Sequence, residues 1–180
     1  MDASLYCAPA TLRDGSPVTI RAQRRTDREG MRTVLVGMDP ESIRRRFFAP
    51  RRSFTEGEVA YFLDIDFVRH VALVAESDGA IVGGGRYIAT EPGVAEVAFG
   101  VADNCQGRGL GRLLLDHLVA IAREQGVALL VAEVLEENAP MLAVFRKSGL
   151  QAATRREDGV VHVTLDLQRN LIPSSFSEAS

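Results

Sequence analysis

The stretch NCQGRGLGRLLLDHL, Asn104 to Leu118, constrains this chain more than any other. Gly107, Gly109 and Gly111 stand at every second position and run unbroken into a leucine-rich helical pattern, with Arg108 and Arg112 among them. A helix N-terminus has unpaired N–H groups and carries the positive end of the helix dipole. Glycines let a backbone approach a ligand closely and take positive φ. With two arginines added, the stretch suits a phosphate or pyrophosphate. As a plain connection it would lose backbone entropy and helix propensity without compensation.

Spacing separates the known phosphate loops. G-x-x-x-x-G-K-[ST] fails, because no Lys–Ser/Thr pair follows. G-x-G-x-x-G is weak, because Arg112 stands where the third glycine belongs and several elements precede the loop.

The surrounding chain of 180 residues reads as one domain. Residues 1–15 show no periodicity and Asp14 to Pro17 reads as a turn, so 1–17 is expected to be an extension. The domain is expected over 18–167, with a frayed polar tail over 168–180. VTIRA alternates as a first strand. The Thr26/Glu29 spacing of a capping box predicts a helix from Asp27 to Val36. Pro40 opens a second helix, and a third is expected from Glu56 to Leu63. HVALVAE, AIVGGGRYIA and AEVAFGVA follow as strands, the first two joined by the Ser77–Gly79 turn.

Leu110, Leu113, Leu114, Leu118 and Ile121 then mark one face of a helix from Gly109 to Gln125, closed by Gly126. ALLVAEV is a buried strand, Ala139 to Ser148 a helix after Asn138, and VVHVTLDL a last strand. This order predicts an α/β (α+β) domain with a mixed sheet of about six to seven strands and about four to five helices.

Global features exclude several classes. A net charge of −3 gives no footprint for nucleic acid. No long apolar run or signal-peptide core is present, so a cytoplasmic location without membrane attachment is expected. Two cysteines, Cys7 and Cys105, make neither a disulfide framework nor a four-ligand zinc site. His70, His117 and His162 lack ligand spacing, so no metal is expected.

What remains is the pattern [QR]-x-x-G-x-[GA] after a strand, here Gln106 to Gly111. It resembles the pyrophosphate loop of the GNAT superfamily of acyl-CoA-dependent N-acyltransferases. The resemblance spans 18–167 and is most specific over 95–150, where LEENAPMLAVFRKSGL is similar to the family's N-x-x-[AM] and [YF]-x-K-x-G-[FL] segment. DGSPVTIRAQRRTDREGM, SIRRRFFAP and AEVAFGVADNCQGRGLG resemble the acetyltransferase domain of Pat-type bacterial protein lysine acetyltransferases. Such domains are often fused to regulatory modules; here the domain is expected to stand alone.

The resemblance implies a GNAT fold, acetyl-CoA as co-substrate, and a monomer or a homodimer formed through the last strands. It implies that backbone N–H groups of Gln106, Gly107, Arg108, Gly109, Leu110, Gly111 and Arg112 cradle the pyrophosphate, with Arg108 or Arg112 beside it. Phe99, Gly100 and Val101 would splay from the next strand and pair with the pantetheine amides. Asn138 would contact the pantetheine or cap its helix. Met141 and Phe145 would complete that wall. Phe145 falls where many members carry a tyrosine acid, so the thiolate would leave unprotonated or take a proton from water.

A lysine amine with a pKa of about 10.4 is neutral in roughly one molecule in a thousand at neutral pH, so a general base helps. Glu96 is the single charge inside the apolar strand VAEVAFG and shares a face with Ala98. It is the candidate base, and these lysine acetyltransferases carry a glutamate at the corresponding position. Burial beside the cleft would bring such a carboxyl toward the working range. A backbone N–H near Phe99 to Val101 would meet the developing oxyanion.

Other residues have plainer expected roles. Cys105 has no histidine nearby in sequence, His117 pairs with Asp116 at the surface, and His70 and His162 are structural. Gly83 to Gly85 mark a bulge or close approach. Arg44 to Arg52 form a solvated face or dock an acidic substrate surface.

The expected activity is acetyl transfer to a protein lysine. The alternatives are a small-molecule amine as acceptor, or a catalytically silent acyl-CoA-binding module, which a solvent-facing Glu96 would favour.

Overall fold

The computed structural model describes residues 1–48, 55, 57 and 63–170. Most of the helix expected over 56–63 lies outside them, as do Arg51 and Arg52. Eight strands, β1 (Cys7–Thr11), β2 (Pro17–Ala22), β3 (His70–Ser77), β4 (Ala80–Glu91), β5 (Val94–Val101), β6 (Leu129–Leu135), β7 (Leu150–Glu157) and β8 (Val160–Asn170), form one sheet in the order β1-β2-β3-β4-β5-β6-β8-β7. Among the described residues, four helices accompany them: α1 (Arg28–Gly37), α2 (Pro40–Phe47), α3 (Leu110–Glu124) and α4 (Ala139–Arg146).

Every neighbouring pair is antiparallel except β5–β6. A parallel pair needs a crossover, and α3 supplies it. Its buried residues include Leu110, Leu114, Leu115, Leu118 and Ile121. They join one core with Val71, Leu73 and Ala75 of β3, Tyr87 of β4, Val97 and Phe99 of β5, and Leu130 of β6. The two periods, 3.6 and 2, meet on this face of the sheet. The opposite face carries Ala72, Val74, Arg86, Gly84, Glu96, Ala98 and Gly100, by alternation and register. There a Cβ on Gly84 would stand 3.6 Å from Met31 of α1, and one on Gly100 3.2 Å from Met38.

The close approach expected at Gly83 to Gly85 is present. A Cβ on Gly85 would lie 2.7 Å from the Phe99 ring, so a side chain there would displace a wall residue of the site described below. The register also shifts between Ala75 and Glu76, opposite this run.

Three expectations are corrected. Residues 1–17 are not simply an extension, because β1 lies within them and pairs with β2 from Cys7↔Arg21 to Thr11↔Pro17. β7 was not expected at all. Both are edge strands without a buried apolar face, and in β7 only Leu150 is buried, so neither shows the alternation that reveals a half-buried strand. The Thr26/Glu29 capping box does not form. Asp27 instead accepts from the Arg24 N–H at 2.7 Å and holds Arg21 through two bonds of 2.8 and 2.9 Å. This buried pair ties β2 to the start of α1, and Arg21 reaches Glu76 of β3 at 2.8 Å as well.

The last strand runs to Asn170, three residues past the expected end of the domain.

Candidate active site

The site begins where a pairing stops. β5 and β6 share the rungs Val94↔Leu129, Ala95↔Leu130 and Glu96↔Val131, and no more. Beyond Glu96, β5 stays with β4 through Gly83↔Val101, while β6 stays with β8 through Leu135↔Val160. The two strands therefore splay, and a cavity of about 290 Å³ opens between them. Phe99, Gly100 and Val101 line one wall, and Ala132, Glu133 and Val134 the other.

The glycine loop forms the far end of this cavity. Gly107 and Gly109 have φ of 73° and 91°, a region open to glycine at little steric cost. Gly109 is the N-cap of α3, so the first N–H groups of that helix face away from its own hydrogen-bonded turns. Gly111 faces Val144 where α3 meets α4, and a Cβ there would make an ordinary contact with it at 3.5 Å. Leu110 contributes backbone at the loop while its side chain is buried in the core.

The side chains of the loop depart from expectation. Arg108 does not line the cavity. Its guanidinium turns to the β1–β2 hairpin, donating to Asp14 at 2.6 Å and Ser16 Oγ at 2.8 Å. The Arg108 contact holds the Asp14 carboxyl well below the usual carboxylate range. Arg112 does line the cavity, but its Nε is bound by Asp116 at 2.7 Å and it donates to the Ser148 carbonyl at 3.0 Å. Asp116 is thus the partner of Arg112, not of His117, which bonds Tyr6 of the segment before β1.

Gln106 donates to Asp103 at 2.8 Å and to Ser42 Oγ at 3.1 Å, and Asp103 accepts the Asp39 N–H at 2.6 Å. That cluster fastens the loop to the start of α2.

Sequence reasoning missed Arg13. It lines the cavity from the hairpin turn, and its stem lies across Gly109, whose Cβ would meet Arg13 Cγ at 3.1 Å. Only the hairpin brings it there, through the Arg13 N–H bonded to the Arg108 carbonyl at 3.0 Å. Nothing in the local sequence around Arg13 signals this.

On the other wall Asn138 is buried and its Oδ1 caps α4 by accepting from the Met141 N–H at 3.2 Å. Met141 and Phe145 line the cavity, and the Phe145 ring sits 6.1 Å from Phe99 across the splay. Phe145 has no proton to give, as the sequence indicates.

Glu96 stands at the root of the splay, on the last shared rung. It is exposed rather than buried, but it lines the cavity and so opens toward it. Glu133, two residues beyond its rung partner Val131, lies on the same face of the sheet and lines the cavity too. His162 approaches Glu133 at 3.5 Å and Glu157 at 3.9 Å.

The arginines of α2 are not a freely solvated face. Arg44 bridges Glu41 and Glu137, and Arg45 reaches Glu41 at 3.3 Å. Arg45 and Arg46 both line the cavity. Burial weakens proton binding by Arg46, and the attraction of the Glu96 carboxylate opposes that. Cys105 is buried beside the loop, with an Arg108 N–H 3.7 Å from its sulfur. His70 bonds the Asp64 carbonyl and Arg86, a structural role. Among the described residues no group of three His, Cys, Asp or Glu could hold a metal, and no helix is long and apolar enough to cross a membrane.

A glycine-rich helix N-terminus, two diverging strand edges and the carboxylate of Glu96 at the root of the splay line one cleft. The chain belongs to the Acetyltransferase (GNAT) family, which matches residues 41–150. The crystal structure of the GNAT domain of S. lividans PAT superposes with a TM-score of 0.83 at 36% identity, covering 89% of this chain and 96% of that one.

Acetyltransferase PA5475 of Pseudomonas aeruginosa is 36% identical over 121 residues, 64% of this chain and 65% of that protein. Acetyltransferase Pat of Mycolicibacterium smegmatis is 30% identical over 164 residues, 88% of this chain but 48% of that protein. The chain thus spans about half to two thirds of the length of these relatives.

Proposed function

We propose that this chain transfers the acetyl group of acetyl-CoA to the side-chain amine of a lysine in a protein, with Glu96 as general base. The observation that carries it is the position of Glu96 on the last rung before β5 and β6 part. The similarity to proteins named Pat in two bacteria supports the lysine acceptor.

The cleft suits this co-substrate residue by residue. The α3 N-terminus offers N–H groups and a positive dipole end to the pyrophosphate. The edge of β5 from Val97 to Val101, released from β6, offers backbone groups to the two amides of the pantetheine arm. Phe99, Met141 and Phe145 give that arm an apolar wall. The donor supplies a thioester: the amine attacks its carbonyl carbon, the C–S bond breaks as the amide forms, and the CoA thiolate leaves unprotonated or takes a proton from water.

Glu96 takes the proton that the amine loses on attack, directly or through a water, and its exposure to the cavity leaves it open to an incoming side chain. A base that was wholly buried could not meet an acceptor from solution. Backbone N–H groups of the released β5 edge meet the charge that develops on the carbonyl oxygen. A carboxylate pair, Glu96 and Glu133, attracts the cationic amine before it is deprotonated.

The test is transfer of label from acetyl-CoA into an extract of the source cells, separated by size. Label in discrete proteins, dependent on added enzyme, is the expected result. Label confined to small molecules moves the acceptor to a metabolite or antibiotic amine. Binding of acetyl-CoA without any transfer makes the domain a silent sensor.

A further inference from the structure

We infer that Arg13, on the β1–β2 hairpin, is the cation that neutralises a phosphate of the nucleotide end of the acyl donor, so that this hairpin is part of the cofactor site. The inference rests on the acyl-CoA reading above and adds a residue that lies outside the family match at 41–150.

Of the three arginines at the glycine loop, two are held by other groups of the protein and Arg13, among the described residues, is not. A loop at a helix N-terminus offers only partial positive charge, while a phosphate of the nucleotide is a full anion, so a cation at the loop is expected. The two arginines within the loop are already committed to the protein. Arg108 is held by Asp14 and Ser16 and is turned away from the cavity. Arg112 is held by both oxygens of Asp116 and by the Ser148 carbonyl. Arg13 lines the cavity, is exposed, and among the described residues has no ion-pair partner. Its stem already crosses Gly109 at the N-cap, where an added Cβ would press against it at 3.1 Å.

The fixed arginine and the free one are parts of a single device. The Arg108 carbonyl accepts the Arg13 N–H, and the Arg108 guanidinium grips the same hairpin turn at Asp14 and Ser16. Arg108 therefore aims the hairpin, and Arg13 makes the contact. This division explains why an arginine in the glycine loop faces the hairpin and not the cavity.

The experiment compares binding of three donors by titration calorimetry: acetyl-CoA, acetyl-dephospho-CoA, which lacks the 3′-phosphate, and acetyl-pantetheine, which lacks the whole nucleotide end. Arg13→Gln is expected to raise the Kd for acetyl-CoA about tenfold, the scale of one charge-assisted hydrogen bond, and to leave acetyl-pantetheine unchanged. Arg13→Lys keeps the charge and should recover most of the loss.

A defect that persists with acetyl-dephospho-CoA assigns Arg13 to the pyrophosphate; one that disappears assigns it to the 3′-phosphate. Equal weakening of acetyl-CoA and acetyl-pantetheine overturns the inference, as does Arg13→Gln binding acetyl-CoA like the wild type. Wild-type protein that binds no acetyl-CoA overturns the acyl-CoA reading itself, an outcome separable from the other two.

Discussion

Arg108 and Asp14 lie 94 residues apart in sequence and meet at 2.6 Å, so that a cation of the glycine loop locks the hairpin joining the first two strands. Arg108 holds the folded-state pKa of Asp14 below its ordinary value, so the pair stabilises the protein when the carboxyl is ionised in both states. That contribution is full above the ordinary carboxylate value of about 4 and declines as pH falls toward the lower folded-state value. Asp14→Asn should therefore lower the thermal midpoint at neutral pH, with the gap to wild type narrowing in acid. Calorimetric scans across that range check it; a gap independent of pH would detach Asp14 from the effect.

Glu96→Gln should cut kcat at neutral pH by about a hundred- to ten-thousandfold, the range typical of a general base. Acetyl-CoA affinity should hold, because in the proposed binding mode the carboxylate lies at the reactive end and the nucleotide at the α3 N-terminus. Steady-state rates with a lysine-bearing acceptor, together with a binding titration, separate the two. An unchanged rate removes Glu96 from the chemistry and leaves Glu133, on the same face of the diverging strand, as the carboxylate to replace next.

Gly109 sits at φ 91° with the Arg13 stem against it. Alanine there adds a Cβ in a strained conformation, at a cost of about 1–2 kcal/mol, and should weaken acetyl-CoA binding in part. Gly109→Asp adds a carboxylate at the proposed phosphate position and should abolish binding. Equilibrium titration of both variants gives the order; tight binding by the aspartate variant would mean that the loop holds no anion.

Much of the cleft was legible because its parts are local. Gly107, Gly109 and the helix that follows fall within one short stretch, and Glu96 is conspicuous as the one charge in an apolar strand. Residues whose roles depend on a distant partner were not legible. Arg108 reads as a phosphate ligand until the hairpin supplies Asp14 and Ser16, and Arg13 reads as an ordinary turn residue until Gly109 lies beneath it. The edge strands fail for a related reason: β7 buries only Leu150, so its pairing with β8 leaves no hydrophobic alternation to detect. The exposure of Glu96 could not be read from its apolar neighbours, because Ala95 and Val97 face the core while Glu96 faces the cleft.

His70 and His117 give the stability of the fold a pH dependence. Burial lowers both pKa values, with Arg86 adding to the effect at His70, so each histidine takes up a proton less readily in the folded state. The unfolded chain, with ordinary values near about 6.5, then binds more protons as the solution becomes mildly acidic. Stability should be full above that value and fall as pH drops through it toward the lower folded-state values. Urea midpoints at about pH 7.5 and about pH 5 should therefore differ, with the lower midpoint in acid. His117→Gln removes one of the two sites and should shrink the difference while costing some stability at the higher pH, because the Tyr6 hydroxyl loses its imidazole partner. A midpoint that rises on acidification would show that charging these histidines stabilises the fold, contrary to their burial.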